Sequence, residues 1–465
     1  MAQHGSSILW HETTAPRPRP ERLGGSVHAD VVIVGAGFTG LWTAYHLCRS
    51  DPSLEVVLVD AHRVGDGASG RNGGFAMTLL DFSLHRLAAQ WGDEPAAHAH
   101  RAVARSVTEI DQTVRAEGID CDLEATGLLR VATNDAQLAR LERELAAAQR
   151  LGLDGFRPLD EAATRQRLDS PQYRGGLLED HCAIVDPAKL AVGLAEVLRR
   201  GGVRIAESTP ATAIHEAPGG VQVATADGLV HADAAVLATN AWTHRFDGYA
   251  GTTAPHYTYV VVTEPLSDDQ WEMIGWQPRH GVEDARNYVH YYRPTADGRV
   301  LWGGTDAVYH YGGPISARRD RHEGIRRRLE REFQATFPQL GEVRFTHHWG
   351  GPVAITSRFV PLVGSSSGGR VHHAFGYSGH GVAPAHTAGR ILRDRLLDRD
   401  TDDTAVCFVD TPQPRFPGEP LTWVGAQLTR GLLQRQDRAM DRGRAAGDTQ
   451  PLLLDLLDRP DARPG

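Results

Sequence analysis

Lysine is nearly missing from this chain. Lys189 is the single lysine among 49 basic residues, so arginine carries almost all the positive charge. Schiff-base chemistry, or an ammonium group beside a bound molecule, is confined to that one residue. Lys189 sits in DPAKLAVGLAEVLRR, whose apolar spacing is that of an amphipathic helix, and a solvated surface lysine is expected. Cysteine is as scarce. Cys48, Cys121, Cys182 and Cys407 lie far apart with no CxxC pair, which argues against a disulfide framework and a zinc site. No apolar run approaches the ~18 residues needed to span a bilayer. The opening MAQHGSSILWHETTAPRPRP lacks the apolar core of a secretory signal, so a cytoplasmic location without membrane contact is expected. The net charge of −9 argues against nucleic acid as a partner.

What is present is the pattern of a soluble globular protein, 41% hydrophobic and 23% charged over 465 residues. Its most informative stretch begins at Asp30. Val31 to Gly35 reads as an apolar strand. Gly35, Gly37 and Gly40 form a GxGxxG turn into a helix that opens with Phe38 and Thr39. A second apolar strand, Val56 to Val59, ends at Asp60 and Ala61. Gly35 permits the tight turn, Gly37 lets backbone approach a pyrophosphate, and Gly40 lets the helix pack on the strand. Asp60 is spaced to accept hydrogen bonds from a ribose diol, and its charge repels a 2′-phosphate. Strand, turn, helix and acid together predict dinucleotide binding.

Further along, Pro16 to Pro20 reads as an extended arm. The region from Phe82 to Leu151 reads as largely helical, broken by strand-like Cys121–Glu124 and Gly127–Ala132, and Asn134 or Asp135 is placed to cap a helix. Lys189 to Arg200 reads as a helix, Val203 to Ala206 as a strand, and GVQVATADGLVHAD as a hairpin turning at Asp227-Gly228. Ala234 to Trp242 is an apolar strand ending in small residues, where backbone can approach a cofactor. Strands at Tyr257–Thr263, Arg286–Arg293 and Val300–Gly303 predict an antiparallel block, followed by a helix over Arg318–Phe337. Val360–Gly364 and Val371–Val382 lead to a helix over Ala383–Asp398. Beyond a Pro-rich linker, helices are expected at Leu421–Arg435 and Leu452–Leu457.

These residues resemble a known family. DVVIVGAGFTGLWTAYHL, GASGRNGGF, GVRIAESTPATAI, AAVLATNAW, YYRPTADGRVLWGG, HHWGGPVAIT and FGYSGHGV are similar to the D-amino acid oxidase/glycine oxidase superfamily of FAD-dependent amine oxidoreductases. Within it the chain is most similar to the branch containing gamma-glutamylputrescine oxidoreductases. The resemblance covers most of Asp30 to Leu397. It implies an α/β fold: a Rossmann-like FAD-binding domain interleaved with an antiparallel-sheet α+β substrate domain, plus a C-terminal helical tail. The expected FAD-binding segments are 25–85, 177–245 and 346–400. The substrate domain takes 86–176 and 246–345, and the extension 401–465.

Carried over position by position, the resemblance puts Gly35, Gly37 and Gly40 on the FAD pyrophosphate and Asp60 on the adenosine ribose. Ser69, Gly70, Arg71, Asn72, Gly73 and Gly74 would run beside the pyrophosphate and ribityl chain. Ala211 takes the place of the usual valine that reads the adenine edge. Gly376, Gly379, His380, Gly381 and Val382 would open a helix aimed at the flavin pyrimidine ring, its N–H groups stabilising negative charge on reduced flavin. Two departures matter. WGGPVAITSRFVPLVG lacks the cysteine that sarcosine-type members use to attach flavin, and GASGRNGG lacks the attachment histidine of others, so noncovalent FAD follows. Ala383 stands where sarcosine-type members place a lysine for the substrate carboxylate.

The substrate face is expected on RNYVHYYR. Strand alternation puts Arg286, Tyr288, His290 and Tyr292 on one face and Asn287, Val289, Tyr291 and Arg293 on the other. The first face is expected over the flavin, with Tyr288, His290, Tyr292 and His380 as the catalytic set. Trp349 with Gly350-Gly351 marks a close passage by the flavin, and Arg358 is a candidate for an anionic substrate group. His347/His348 and His372/His373 are adjacent pairs pointing oppositely along strands, so no metal site is expected. The implied activity is FAD-dependent oxidation of a small primary or secondary amine, with or without a carboxylate or phosphonate. Hydride passes to flavin N5, the imine hydrolyses to an aldehyde or keto acid, and oxygen or a quinone or carrier accepts the electrons. An NAD-dependent dehydrogenase and a non-catalytic flavin-binding regulator are the alternatives sharing the dinucleotide motif.

Overall fold

A computed structural model of the chain describes residues 8–17, 19–80 and 83–443. The helix expected at Leu452–Leu457 lies outside the described residues. Two large sheets organise the fold. The first has eight strands, with the order Leu362–Ser365, Val371–Phe375, Gly228–Leu237, Val27–Val34, Val56–Val59 and Arg204–Ala206. Neighbours in this row are parallel except the first pair. Val31 to Val34 are all buried, because both faces of the strand are covered. Val31 and Ile33 pack into the layer of helices Phe38–Ser50, Pro187–Arg200 and Val382–Leu396. Val32 and Val34 pack with Val221 and Val223 of a hairpin built from Ala211–Ala217 and Gly220–Thr225.

The second sheet has nine strands, all antiparallel neighbours except the pair Gly281–Asp284 and Leu128–Ala132. Its centre is Ala254–Thr263, Val300–Gly304, His290–Pro294 and Gly281–Asp284. One face carries Leu129, Val131, Val282, Tyr292 and Trp302 against Leu329 and Phe333 of the helix Glu323–Thr336. The opposite face carries Val260, Val262, Leu301, Tyr291 and Trp349. That face meets Leu9 and Trp10 of a short N-terminal helix, Leu9–Thr13, and Ala188 of the dinucleotide half.

Several expectations shift once packing is known. Lys189 is paired and only partly exposed: its Nζ meets Asp122 Oδ2 at 2.7 Å, and both side chains are partly buried. Cys121–Glu124 reduces to a single bridge, Glu124 to Ile184. Asn134 is the cap, accepting from Gln137 N–H at 3.0 Å. The charged helix starts at Glu323, where His322 Nδ1 accepts from Ile325 N–H. Phe345–Ile355 pairs along its length with Ala254–Thr263, so the chain re-enters the dinucleotide sheet only at Leu362. The tail helix runs Leu421–Met440, five residues past the expected end.

Candidate active site

The glycine turn sits where the spacing demanded. Gly35 has φ +113°, and a Cβ there would stand 2.5 Å from Ala238 O. A Cβ at Gly40 would stand 1.9 Å from Gly35 O, so helix and strand pack at a distance only glycine allows. Asp60 organises this turn from the end of the next strand. Its Oδ2 accepts from Ala36 N–H at 2.7 Å and its Oδ1 from His62 N–H at 2.8 Å. Burial pushes the Asp60 carboxyl up from its ordinary value, and these two N–H groups oppose that rise. Each carboxylate oxygen retains a further lone pair for a ligand hydroxyl. Ala61 is exposed beside it. Ala211 starts its hairpin strand two residues after Thr209, whose N–H donates to Asp60 O at 2.7 Å.

The remaining cradle segments are tied to this turn. Phe38 N–H donates to Ser69 Oγ at 2.8 Å. Ser69 and Gly70 lie in a short helical turn, Ala68–Gly70. Asn72 braces the loop from within: its Nδ2 donates to Ala68 O and Ser69 O, and its Oδ1 accepts from Gly74 N–H at 2.7 Å. Arg71 pairs with Asp320 at 2.6 Å. Thr39 Oγ1 and Tyr377 OH are 2.8 Å apart, joining the glycine-turn helix to the 376–382 loop. Gly376 N–H donates to Asn240 Oδ1 at 3.0 Å. Gly381 precedes the helix Val382–Leu396, which has no side-chain cap, so its first N–H groups remain available. Gly379 is exposed and His380 partly so. Thr253 Oγ1, Ser378 Oγ and Arg358 Nε are buried and hydrogen-bonded to nothing among the described residues. Glycine-lined backbone, an uncapped helix start and spare buried polar atoms fit a dinucleotide cofactor.

The nine-stranded sheet turns its other face to this cradle. Tyr291, not Tyr292, looks toward it: a Cβ at Gly73 would stand 3.0 Å from Tyr291 Cε2, and the Tyr291 ring meets Phe75 edge-on. Tyr291 shares the face with Arg293, whose Nη1 donates to Val185 O at 2.5 Å and Gly74 O at 3.2 Å. Trp349 Nε1–H donates to Arg71 O at 2.8 Å, and Gly351 lies against Arg71. Of the expected catalytic set, Tyr292, His290 and Tyr288 do not line the cradle, while His380 stands in its 376–382 loop. Tyr292 is 1% exposed, stacked on Trp302 and hydrogen-bonded to Tyr173 OH at 2.5 Å. His290 is held between Asp284 (2.7 Å) and Glu332 (3.0 Å) on that same side. Burial alone would lower the His290 pKa, but the two carboxylates raise it to about 9. Tyr288 precedes the strand, because Asn287 and Tyr288 N–H groups turn away to the Asp437 carboxylate of the tail helix. The large aromatics face the helix Glu323–Thr336, and glycines on the opposite face leave room for Tyr291.

A group not expected from sequence lies on the Tyr291 face. Glu283 is paired in register with both Tyr291 and Arg130. Arg130 Nε meets Glu283 Oε1 at 2.8 Å, its Nη1 meets Glu144 Oε1 at 3.2 Å, and its Nη2 meets Glu179 Oε2 at 3.8 Å. All four are buried. Burial pushes the Glu283 carboxyl up, while Arg130 and the nearby His380 pull it down. Charged residues inside LLRVA, GGLLE and GVED were the available signal. The four histidines of the HH pairs are buried on strands, with His348 Nδ1 at 2.9 Å from Val260 O and His373 Nδ1 at 3.1 Å from Tyr249 OH.

A parallel sheet with a glycine cradle, roofed by an antiparallel sheet, is the architecture of a dinucleotide-dependent oxidoreductase. The family described as FAD dependent oxidoreductase (DAO) matches residues 30–395, and the chain belongs to it. The chain is 33% identical over 435 residues to gamma-glutamylputrescine oxidoreductase of Escherichia coli (strain K12), covering 92% of this chain and 97% of that protein. It is 32% identical over 423 residues to the probable oxidoreductase OrdL of Rhizobium meliloti (strain 1021), covering 88% and 92%. Its fold matches glycine oxidase from Geobacillus kaustophilus with a TM-score of 0.69 at 20% identity, over 83% of this chain and 99% of that one. The protein is thus an enzyme, an FAD-dependent oxidoreductase, and the NAD-dependent and non-catalytic alternatives fall away. No helix among the described residues is long and apolar enough to cross a membrane.

Proposed function

We propose that the protein oxidises a small primary or secondary amine at the wall formed by Tyr291 and Glu283. In this reading Gly35, Gly37, Gly40 and Asp60 hold the pyrophosphate and ribose of FAD. Ser69–Gly74 and Gly376–Val382 flank the rest of the cofactor. Bound FAD supplies a hydride acceptor for the carbon bearing the amine nitrogen, and the released imine hydrolyses to an aldehyde or keto acid. The observation that carries the reading is the charge of the wall. Three buried glutamates surround Arg130 and outnumber it together with Arg293, so this face favours a cationic amine over an anion.

Tyr291 supplies an aromatic side to this space. Burial pushes its phenol up to about 12, so it stays neutral and orients a ligand without serving as a base. The uncapped N-terminus of Val382–Leu396 offers the N–H groups of Val382 and Ala383 to developing negative charge, while Pro384 offers none. With Ala383 in place of a lysine, an anionic group on the substrate needs another partner, and Arg358 with its free Nε fits that need. The name of the Escherichia coli relative makes gamma-glutamylputrescine the first amine to try. Glycine and sarcosine follow from the names of more distant relatives. An anaerobic panel of these amines tests the reading by bleaching of the flavin band. A flavin reduced by dithionite but by no amine would refute it.

A further inference from the structure

Beside the bracing by Asn72, three side chains that hold the 71–74 loop come from outside the dinucleotide fold. Trp10, on the short helix Leu9–Thr13, is 1% exposed and donates its indole N–H to Asn72 O at 2.8 Å. Trp349 donates in the same way to Arg71 O at 2.8 Å, and Arg293 reaches Gly74 O at 3.2 Å. These three side chains also hold one another. The two indoles meet edge-on at 6.2 Å, and the Arg293 guanidinium lies over the Trp10 ring at 5.4 Å. The same N-terminal arm is anchored at two more points. Thr13 Oγ1 donates to Asp186 Oδ2 at 2.5 Å, next to the Val185 carbonyl that Arg293 binds. Arg17 donates to Val64 O at 2.7 Å and to Asp66 Oδ1 at 2.9 Å, and Asp66 O in turn accepts from Arg71 Nε.

The consequence follows from peptide geometry. The C=O of Asn72 and the N–H of Gly73 belong to one planar trans unit and point in opposite directions. With the oxygen held by Trp10, the Gly73 N–H is turned away from the N-terminal helix. A free peptide there would rotate, because Gly73 has no side chain to restrain it.

We propose that the N-terminal helix is a clasp for the cofactor loop, with Trp10 as a positioning residue that aims the Gly73 N–H at FAD. The clasp acts on cofactor affinity and on the flavin's surroundings, not on the amine. It rests on FAD binding, which family membership establishes, and on the assignment of residues 69–74 to the cofactor.

Trp10→Phe is the direct test, since it keeps an aromatic ring under Arg293 and removes the indole N–H. In the holoprotein it should weaken FAD binding roughly three- to tenfold, the cost of one hydrogen bond, with a shift of the visible flavin band. The melting temperature of the flavin-stripped protein is measured alongside. A merely structural tryptophan would lower that temperature and leave the flavin spectrum and affinity unchanged, which would overturn the proposal. Should Trp10→Phe fail to fold, Thr13→Val loosens the same clasp at Asp186. Wild-type affinity and spectrum in that variant would overturn it equally. Gly73→Ala separates the two premises. Unchanged FAD affinity there would remove the loop from the cofactor. Weakened affinity in Gly73→Ala beside a wild-type Trp10→Phe would overturn the clasp alone.

Discussion

Replacing either of two neighbouring tyrosines by phenylalanine decides which face of the nine-stranded sheet does chemistry. Tyr292 and Tyr173 are each 1% exposed, and their hydroxyls are 2.5 Å apart. Tyr292→Phe keeps the ring stacked on Trp302 at 4.3 Å but strips the Tyr173 hydroxyl of that partner in the core. Leaving a buried hydroxyl without its partner costs about 1–3 kcal/mol of stability. Turnover should stay within about twofold of wild type, because that side packs on the helix Glu323–Thr336 and away from the cradle. Tyr291→Phe is the converse. Its ring lies beside Gly73 and Phe75, and its hydroxyl bonds Thr258 on the cradle face. Losing that hydroxyl should reduce turnover at least about tenfold, or about 1.4 kcal/mol of transition-state stabilisation, with a smaller change in stability. The assay pairs flavin-normalised steady-state kinetics with urea unfolding followed by tryptophan fluorescence. A tenfold loss of turnover in Tyr292→Phe, with Tyr291→Phe at the wild-type rate, would refute the orientation of the sheet.

The other expected outcomes concern the cofactor and pH. Asp60→Ala should lower FAD affinity and loosen the glycine turn, since two charge-assisted bonds of about 1.5–3 kcal/mol each are lost; flavin fluorescence on titrating the apoprotein measures it. Acid precipitation should leave the flavin in the supernatant, because neither attachment residue is present; flavin retained by the precipitate would contradict noncovalent binding. Gly376→Ala should abolish FAD retention, as its Cβ would stand 2.3 Å from Thr356 Cγ2 at a φ of +82°; a yellow purified variant would argue otherwise. His290 is raised from its ordinary 6.5 to about 9, so its contribution to stability is full below 6.5 and lost as pH rises through about 9. Urea midpoints should fall across that window in wild type and stay flatter in His290→Gln. A wild-type midpoint constant from pH 6.5 to 9 would show that the Asp284–His290–Glu332 group carries no such linkage.

Local backbone requirements explain why the cradle was readable and the roof was not. Gly35 and Gly40 are required by contacts within the same strand–turn–helix unit and with one adjacent strand, so a short stretch of sequence states the constraint. Asp60 binds Ala36 N–H across neighbouring parallel strands, a spacing the turn itself dictates. The roof depends on partners far away in the chain. Period-two alternation correctly separated Tyr291 from Tyr292, yet it carries no information about which layer each face meets. That choice follows from Phe333 and Phe337, which pack edge-on against Trp302 and Tyr292. A partial signal existed in the pairing of strands: Tyr292 opposes Trp302, while Tyr291 opposes Gly303, where a Cβ would collide with the phenol ring. Large beside large marks the packed side, and large beside glycine marks the side with room. The start of the strand was misread for a similar reason, since Asp437 draws Asn287 and Tyr288 out of it across 150 residues of chain. Arg130 and its glutamates are the extreme case. Arg130 and Glu179 are lone charges in apolar strands, Glu283 stands next to Asp284, and Glu144 lies on the helix Asp135–Arg150; only when register places Glu283 beside Arg130 do they form one group, so their shared meaning belongs to the packed sheet and not to any segment.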